Sequence, residues 1–269
     1  MFSSQSRLIR GVPVLMYHGL LHSGEPARGE QASKYWIGEA SFRAQLRLIG
    51  RQGRRVARLR DFWSASSRGV DGCASVVITF DDGRRSDYEV AFPALQANAI
   101  GADFFVNTSE VGRDGYLTWA QITEMQRAGC SFNSHSHDHV ALVGLPRDAL
   151  RNQLERSKRE LEDRLGEAVR FLAVPYGFVD RRVTAMAREV GYQAVCTSRY
   201  WPSQPGHSPI NRIAVHADTT LDQLAALLRG EWLGFMTRAA RAGLGYLPKR
   251  ILLRWQPERL GVRVHGAGK

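Results

Sequence analysis

The chain has 269 residues, of which 43% are hydrophobic, and its formal net charge is +11. This is enough apolar sequence for one large domain or two small ones, and no apolar run approaches the roughly 18 residues of a membrane-spanning helix. This excess of positive charge favours an anionic partner, which means nucleic acid, acidic glycan or anionic lipid headgroups.

Short β-type runs alternate with helical patterns along most of the chain. The runs that predict strands are 12–17, 54–58, 75–80, 102–106, 130–133, 170–174 and 193–197. Helices are predicted over 41–50, from a capping box at Thr118 to near Gly129, and over 146–165. This alternation implies parallel pairing with right-handed crossovers. It predicts a closed or nearly closed α/β barrel, with an open doubly wound sheet as the alternative.

The pattern changes near residue 220. A helix is predicted over 221–230, followed by an apolar stripe over 231–247 and a basic segment over 248–259. We treat 220–269 as an appendage to the barrel. A basic amphipathic helix of this kind can lie on an anionic membrane surface, or its stripe can pack on the outer wall of the barrel.

The start of the chain bears on localisation. The apolar stretch 12–17 is too short for a signal peptide. The three cysteines, Cys73, Cys130 and Cys196, are odd in number and far apart, which suits a reducing compartment. We therefore expect a cytoplasmic protein, peripheral on the inner membrane if the C-terminal segment binds lipid.

The sharpest motif is Thr79-Phe80-Asp81-Asp82-Gly83, directly after an apolar run. Inside a regular strand Asp81 and Asp82 would point to opposite faces, but Gly83 indicates a turn that lets both carboxylates reach the same opening. A cation on one acid relieves their repulsion and leaves the other free as a base. The alternative is an ordinary turn with solvated acids.

Three histidines fall within five residues at 135–139. His135 and His139 are four apart, so one helical turn or a tight loop brings them to the same side, which suits metal ligation by imidazole nitrogen. Two alternatives stay open: His135 and His137 could chelate from an extended strand, or the segment is a polar loop without a metal.

Two weaker motifs also follow predicted strands. In segment 174–177, Pro175 and Gly177 fix a tight turn, which can aim a backbone N–H at an oxyanion or be an ordinary turn. In segment 17–19, His18 is a lone histidine, a residue more often structural than catalytic. The C-terminal ends of barrel strands meet at one face, and that face carries the chemistry. All four motifs are therefore expected to converge.

With these motifs, the sequence resembles the polysaccharide deacetylase family, carbohydrate esterase family 4 with the NodB-homology domain, over roughly residues 11–215. Segment 79–83 matches the first motif of the family, and His135-Ser136 with His139 matches its His-Ser/Thr-x-x-His motif. The resemblance implies a distorted (β/α)7 barrel, here 1–219, followed by the C-terminal helical extension 220–269.

The resemblance also implies roles for the site residues. Asp81 would be the base, and Tyr176 would supply a backbone N–H for the oxyanion. A divalent metal, usually zinc and otherwise Co2+, Mn2+ or Ni2+, would be held by Asp82, His135 and His139. The residues expected to contact substrate are Pro175, Gly177 and Trp119.

The sequence departs from the family pattern at two places. The third motif usually begins with an arginine that orients the base, and 171–177 has none. The late Leu-x-His motif, which carries the general acid, is also not evident in 210–216. The branch acting on poly-N-acetylglucosamine has a permuted motif order with the acid in an early Tyr-His. His18 is therefore the candidate acid, with His216 second.

Together these residues predict metal-dependent hydrolysis of N-acetyl groups from an amino-sugar glycan or a lipid-linked sugar, with no nucleic acid partner. One alternative is an amidase acting on a small non-sugar amide. Another is a metal-bearing, glycan-binding relative that has lost turnover, which the missing arginine motivates.

Overall fold

Parallel strands dominate the structure, a computed structural model that describes residues 11–65 and 75–231. In chain order the strands are β1 (Val14–Tyr17), β2 (Leu20–Leu21), β3 (Ile37–Gly38), β4 (Arg55–Ala57), β5 (Ser75–Phe80), β6 (Asp103–Val106), β7 (Ser131–Ser134), β8 (Phe171–Ala173), β9 (Ala194–Cys196) and β10 (Ile213–Ala214). The helices are α1 (Glu39–Arg51), α2 (Leu59–Ser64), α3 (Phe92–Gln96), α4 (Trp119–Arg127), α5 (Arg147–Leu165), α6 (Arg181–Val190) and α7 (Leu221–Leu228).

The main sheet curls into a distorted barrel. Its strand order is β10-β1-β5-β6-β7-β8-β9, every pair on this path is parallel, and β4 adds to β5. A parallel bridge between Cys196 of β9 and Ile210, three residues before β10, brings the two ends of the path together. The predicted distorted (β/α)7 barrel is confirmed, and the open doubly wound sheet is not observed.

Two apolar clusters, one on each face of the sheet, hold the barrel together. In β5 the alternate residues Val76, Ile78 and Phe80 pack outward in the larger cluster beneath the helices. Val77, between them, belongs to the smaller cluster with Phe105 of β6. This period of two follows from strand geometry. The same alternation directs the side chains of every second residue after Val77 into the barrel.

Most predicted elements match the structure within one or two residues. The capping box at Thr118 is present, since its side chain and that of Gln121 each bond the other's backbone N–H. Helix α5 ends at Leu165 and is capped by Gly166, whose φ of 68° is the left-handed conformation that glycine adopts readily. Cys130 and Cys196 are buried free thiols, as expected of small apolar residues; Cys73 lies outside the described residues.

The C-terminal appendage is described only as far as residue 231. Leu224, Leu227 and Leu228 of α7 are buried in the larger cluster, so this helix belongs to the packed helical layer. The apolar stripe and the basic segment beyond residue 231 lie outside the described residues, and the boundary after residue 219 stays a prediction. Within the described ranges, no helix combines the length and apolarity of a bilayer span.

Candidate metal centre and active site

Asp81 and Asp82 reach the same end of the barrel because the backbone leaves the extended strand conformation at Asp82 and enters the left-handed region. Asp81 continues the inward alternation of β5. The next residue, Asp82, has a φ of 77°, and Gly83 has a φ of 68°. Asp is one of the few side chains that tolerate this left-handed region. The predicted turn is present, and it starts at Asp82 rather than at Gly83.

The histidine motif forms a tight loop after β7. Ser136 and His139 both have positive φ values, 66° and 53°. Two of the three predicted ligands, Asp82 and His139, are thus held in an uncommon backbone conformation, of the kind that clusters at functional sites. The Nδ1 of His135 lies 2.9 Å from the carbonyl oxygen of Ala173. Nδ1–H can donate there, which leaves the Nε2 lone pair for a metal.

Asp82, His135 and His139 converge on one point. Asp82 Oδ1 lies 3.5 Å from His135 Nε2 and 3.3 Å from His139 Nε2. All three donor atoms lie within 4.8 Å of one another. Ligand atoms bonded at about 2.0–2.1 Å to a tetrahedral zinc are about 3.3 Å apart, so the three side chains fit a divalent cation of this size.

The local charges keep the Asp82 carboxylate ionised. Burial by itself would raise its pKa, but His139, His18, His135 and Arg84 outweigh that effect and hold the pKa well below its usual value. An ionised carboxylate beside two imidazoles is the donor set expected of a zinc site with open positions.

His137 lies outside this cluster. Its Nδ1 is 2.7 Å from Thr108 Oγ1 and 3.4 Å from Glu160 Oε2, and its Nε2 is 3.3 Å from Asp138 Oδ1. Its ring is thus occupied with neighbours other than the three ligand candidates. The geometry favours the pair His135 and His139 over the alternative pair His135 and His137.

Asp81 is held by a buried arginine that the sequence analysis missed. Arg212 Nη1 and Nη2 lie 2.6 and 2.7 Å from the two oxygens of Asp81. Burial would raise the pKa of Asp81, but Arg212 and then His135 lower it below its usual value. Asp81 is therefore an ionised carboxylate with both oxygens engaged, whereas Asp82 has one oxygen facing the two histidines.

Arg212 supplies the arginine that is absent from the start of the third motif. It is fully buried inside the barrel, where Nε donates to the carbonyl oxygen of Thr197 at 3.2 Å and the guanidinium lies over the ring of Phe105. The sequence carries one signal of this residue: Asn211 and Arg212 interrupt an apolar run that includes Ile210 and Ile213. A charged residue in such a run needs a buried partner.

The two candidate acids share one aromatic neighbour. The ring of Tyr35 lies 4.7 Å from that of His18 and 5.0 Å from that of His216. Burial lowers the pKa of His18, and the charges of Asp81 and then Asp82 act in the opposite direction. His18 is therefore influenced by the charges of Asp81 and Asp82; its assignment as the acid stays a prediction.

Of the remaining predicted residues, Tyr176 contacts His139, one of the three ligand candidates. Its ring centroid lies 4.8 Å from that of His139, and its φ is 59°. Pro175 and Gly177 flank it in a tight turn, and a Cβ on Gly177 would meet Ser198 at 2.8 Å. Trp119, at the start of α4, stacks on Arg164 of α5. The oxyanion and substrate roles of these residues stay predictions.

Comparison with known proteins identifies the family of this chain. The family model for polysaccharide deacetylase matches residues 68–195. YxkH of Bacillus subtilis is 26% identical over 190 residues, which cover 70% of this chain and 64% of YxkH, so the match spans less than two thirds of that protein. A poly-beta-1,6-N-acetyl-D-glucosamine N-deacetylase of Staphylococcus epidermidis is 25% identical over 222 residues, covering 77% of this chain and 75% of that protein.

A solved structure extends the likeness over most of the chain. IcaB from Ammonifex degensii superimposes with a TM-score of 0.73 at 30% identity, and the match covers 82% of this chain and 98% of IcaB. The match is therefore longer than the segment 68–195 matched by the family model. On this combined evidence, the chain belongs to the polysaccharide deacetylase family.

Proposed function

We propose that this chain removes N-acetyl groups from an amino-sugar glycan by metal-dependent amide hydrolysis. One observation carries the proposal: the cluster Asp82, His135 and His139 fits a divalent cation, and an ionised second carboxylate, Asp81, lies 4.0 Å from His135 Nε2. A ligand cluster beside an unligated carboxylate is the arrangement that metal-assisted hydrolysis requires.

Asp82, His135 and His139 would hold the metal, and zinc suits two imidazoles and one carboxylate. When bound, it would supply Lewis-acid polarisation of the amide carbonyl and lower the pKa of water toward about 7.

The other residues would move protons and stabilise charge. Asp81, oriented by Arg212, accepts a proton from the attacking water. The backbone N–H of Tyr176 donates to the developing oxyanion. His18 donates a proton to the departing amine, which is a poor leaving group when unprotonated.

The relatives support an amino-sugar substrate. The Staphylococcus epidermidis protein is named for poly-beta-1,6-N-acetyl-D-glucosamine, and a polymer of N-acetylglucosamine is the substrate class we propose for this chain. The assay described below compares free oligomers with a lipid-linked sugar.

The observation that supported the inactive, glycan-binding alternative no longer supports it. It was based on the arginine missing from the third motif, and Arg212 occupies both oxygens of the base candidate Asp81. The site therefore has an oriented carboxylate, the candidate base Asp81, as well as the three ligand candidates.

The substrate class can be tested by measuring acetate release from zinc-loaded protein. The substrates are β-1,6-linked N-acetylglucosamine oligomers, a lipid-linked N-acetylglucosamine, and N-acetylated amino acids. The proposal predicts release from the sugars with little from the amino acids. Release from the amino acids alone would establish the small-amide alternative, and no release from any substrate would refute the proposed activity.

A further inference from the structure

Arg84 connects a metal ligand candidate to a surface loop. Its Nη2 donates to Asp82 Oδ2 at 3.2 Å. The same guanidinium binds both carboxylate oxygens of Glu30, at 2.5 and 3.1 Å. Only 13% of the Arg84 side chain is exposed, whereas 66% of Glu30 is exposed. The contact with Asp82 is therefore shielded from water, and the contact with Glu30 lies at the surface.

Aromatic rings hold the guanidinium in place. Tyr116 lies 4.8 Å from it and Trp36 lies 5.8 Å from it, both at cation–π distance. Trp36 packs directly on the backbone of Gly19, where a Cβ would come within 2.3 Å of the indole ring. The position of Arg84 is thus fixed from several sides, and a lysine has no planar group that could make the same contacts.

The consequence is an asymmetry between the two oxygens of Asp82. Oδ1 faces His135 and His139 at 3.5 and 3.3 Å, whereas Oδ2 is bound by Arg84. A carboxylate can bind a cation through one oxygen or through both. An arginine on Oδ2 holds that oxygen away from the metal position and presents Oδ1 alone.

We infer that Arg84 is a positioning residue that keeps Asp82 a one-oxygen ligand, and that Glu30 in turn positions Arg84. The inference rests on the proposed function, because it presupposes a cation among Asp82, His135 and His139. One-oxygen ligation preserves open metal positions for water and substrate, which a catalytic site needs. Loss of Arg84 would free Oδ2 to occupy one of them.

The test uses the full chain loaded with Co2+, whose visible absorption depends on the number and geometry of its ligands. Arg84→Ala is compared with wild type and with the matched control Arg85→Ala. Arg85 is the next residue, carries the same charge and pairs with exposed Asp114. Spectra are recorded without substrate, and kcat and KM are then measured on the N-acetylglucosamine oligomer.

We expect Arg84→Ala to bind one Co2+ with an altered spectrum and to lose about 10–100-fold in kcat, the usual effect of a residue that orients a metal ligand. KM should change little, and Arg85→Ala should match wild type. If the Arg84→Ala spectrum is that of wild type, the inference is wrong, whatever happens to KM. If wild type binds no Co2+, the proposed function itself fails.

Two milder variants cover the case in which Arg84→Ala does not fold. Arg84→Lys keeps the charge but loses the forked geometry, so we expect a spectral change in the same direction. Glu30→Gln removes the charge that holds Arg84, so we expect a smaller spectral change and a smaller loss of kcat than in Arg84→Ala. Both effects should shrink as salt is raised, because Glu30 is exposed. Wild-type spectra in both variants would overturn the inference.

Discussion

Arg212 and Asp81 are 131 residues apart in the sequence and form a two-bond ion pair in the interior of the barrel, with distances of 2.6 and 2.7 Å. The pair separates the roles of two adjacent acids. Both oxygens of Asp81 are bound by a cationic side chain, which would leave it as the base of the proposed reaction, while Asp82 directs one oxygen to His135 and His139.

Arg212→Lys should reduce activity without removing metal. Lysine keeps the charge but cannot bind both oxygens of Asp81 at once, so the base loses its fixed orientation. We expect kcat to fall by about 10²-fold, the cost of misplacing a reacting group by about 1 Å. Arg199→Lys, at an exposed arginine, is the control. Full turnover by Arg212→Lys would show that the ion pair is structural only.

Asp81→Asn should retain metal and lose turnover. The side chain keeps its shape but cannot accept the proton, so the rate should fall by roughly 10²–10⁴. Because Arg212 would be left buried without its counter-charge, destabilisation by about 3–5 kcal/mol is expected as well. Metal content, melting temperature and rate should be measured on one sample; a folded, metal-loaded variant with normal turnover would contradict the role of base.

His18→Ala should remove the alkaline limb of the kcat/KM profile, because that limb reports loss of the proton from the acid. Burial lowers the pKa of His18, so in wild type the limb should fall at a lower pH than for an exposed histidine. His216→Ala is the matched variant, at the second histidine ring that contacts Tyr35. If the limb survives in His18→Ala and disappears in His216→Ala, the acid is His216.

Asp103→Asn should change how stability depends on pH. Asp103 accepts from Leu59 N at 2.8 Å and from Asn133 Nδ2 at 3.3 Å, and burial raises its pKa to about 7. An unfolded aspartate has a pKa of about 3.9. Between these two pKa values the folded state binds more protons than the unfolded state. The free energy of unfolding therefore falls as pH rises from about 4 to about 7 and stays lower above pH 7.

The slope that Asp103 contributes is at most about 1.4 kcal/mol per pH unit. Urea unfolding of Asp103→Asn at pH 5, 6, 7 and 8 should show a smaller loss of stability with rising pH than wild type. Exposed Asp163→Asn on α5 serves as the control. Parallel curves for wild type and Asp103→Asn would refute the raised pKa.

The barrel and three of its local features could be predicted because each signal lies in a short stretch of sequence. The run at β5, the histidines at 135–139 and the capping box at Thr118 all lie within a few consecutive residues. Parallel topology then brings the strand ends to one face, which accounts for the convergence of the motifs.

Arg212 and Arg84 could not be assigned from the same signals. Arg212 precedes a strand of two residues, too short to show a periodicity, and its pairing with Asp81 depends on where β10 joins β1. Arg84 follows a turn and precedes a second arginine, and only the folded structure shows that Arg84 contacts Asp82, Trp36 and Tyr116. The membrane-binding interpretation of the segment after residue 231 stays a prediction.

The most direct test of the central claim is acetate release from β-1,6-linked N-acetylglucosamine oligomers by one preparation in three states: as purified, after chelation and dialysis, and after addition of one equivalent of zinc. A metal centre at these three residues predicts activity that is lost on chelation and restored by zinc, with no restoration in His139→Ala. Undiminished activity in the chelated, metal-free protein, or equal restoration in His139→Ala, would contradict a metal centre at Asp82, His135 and His139.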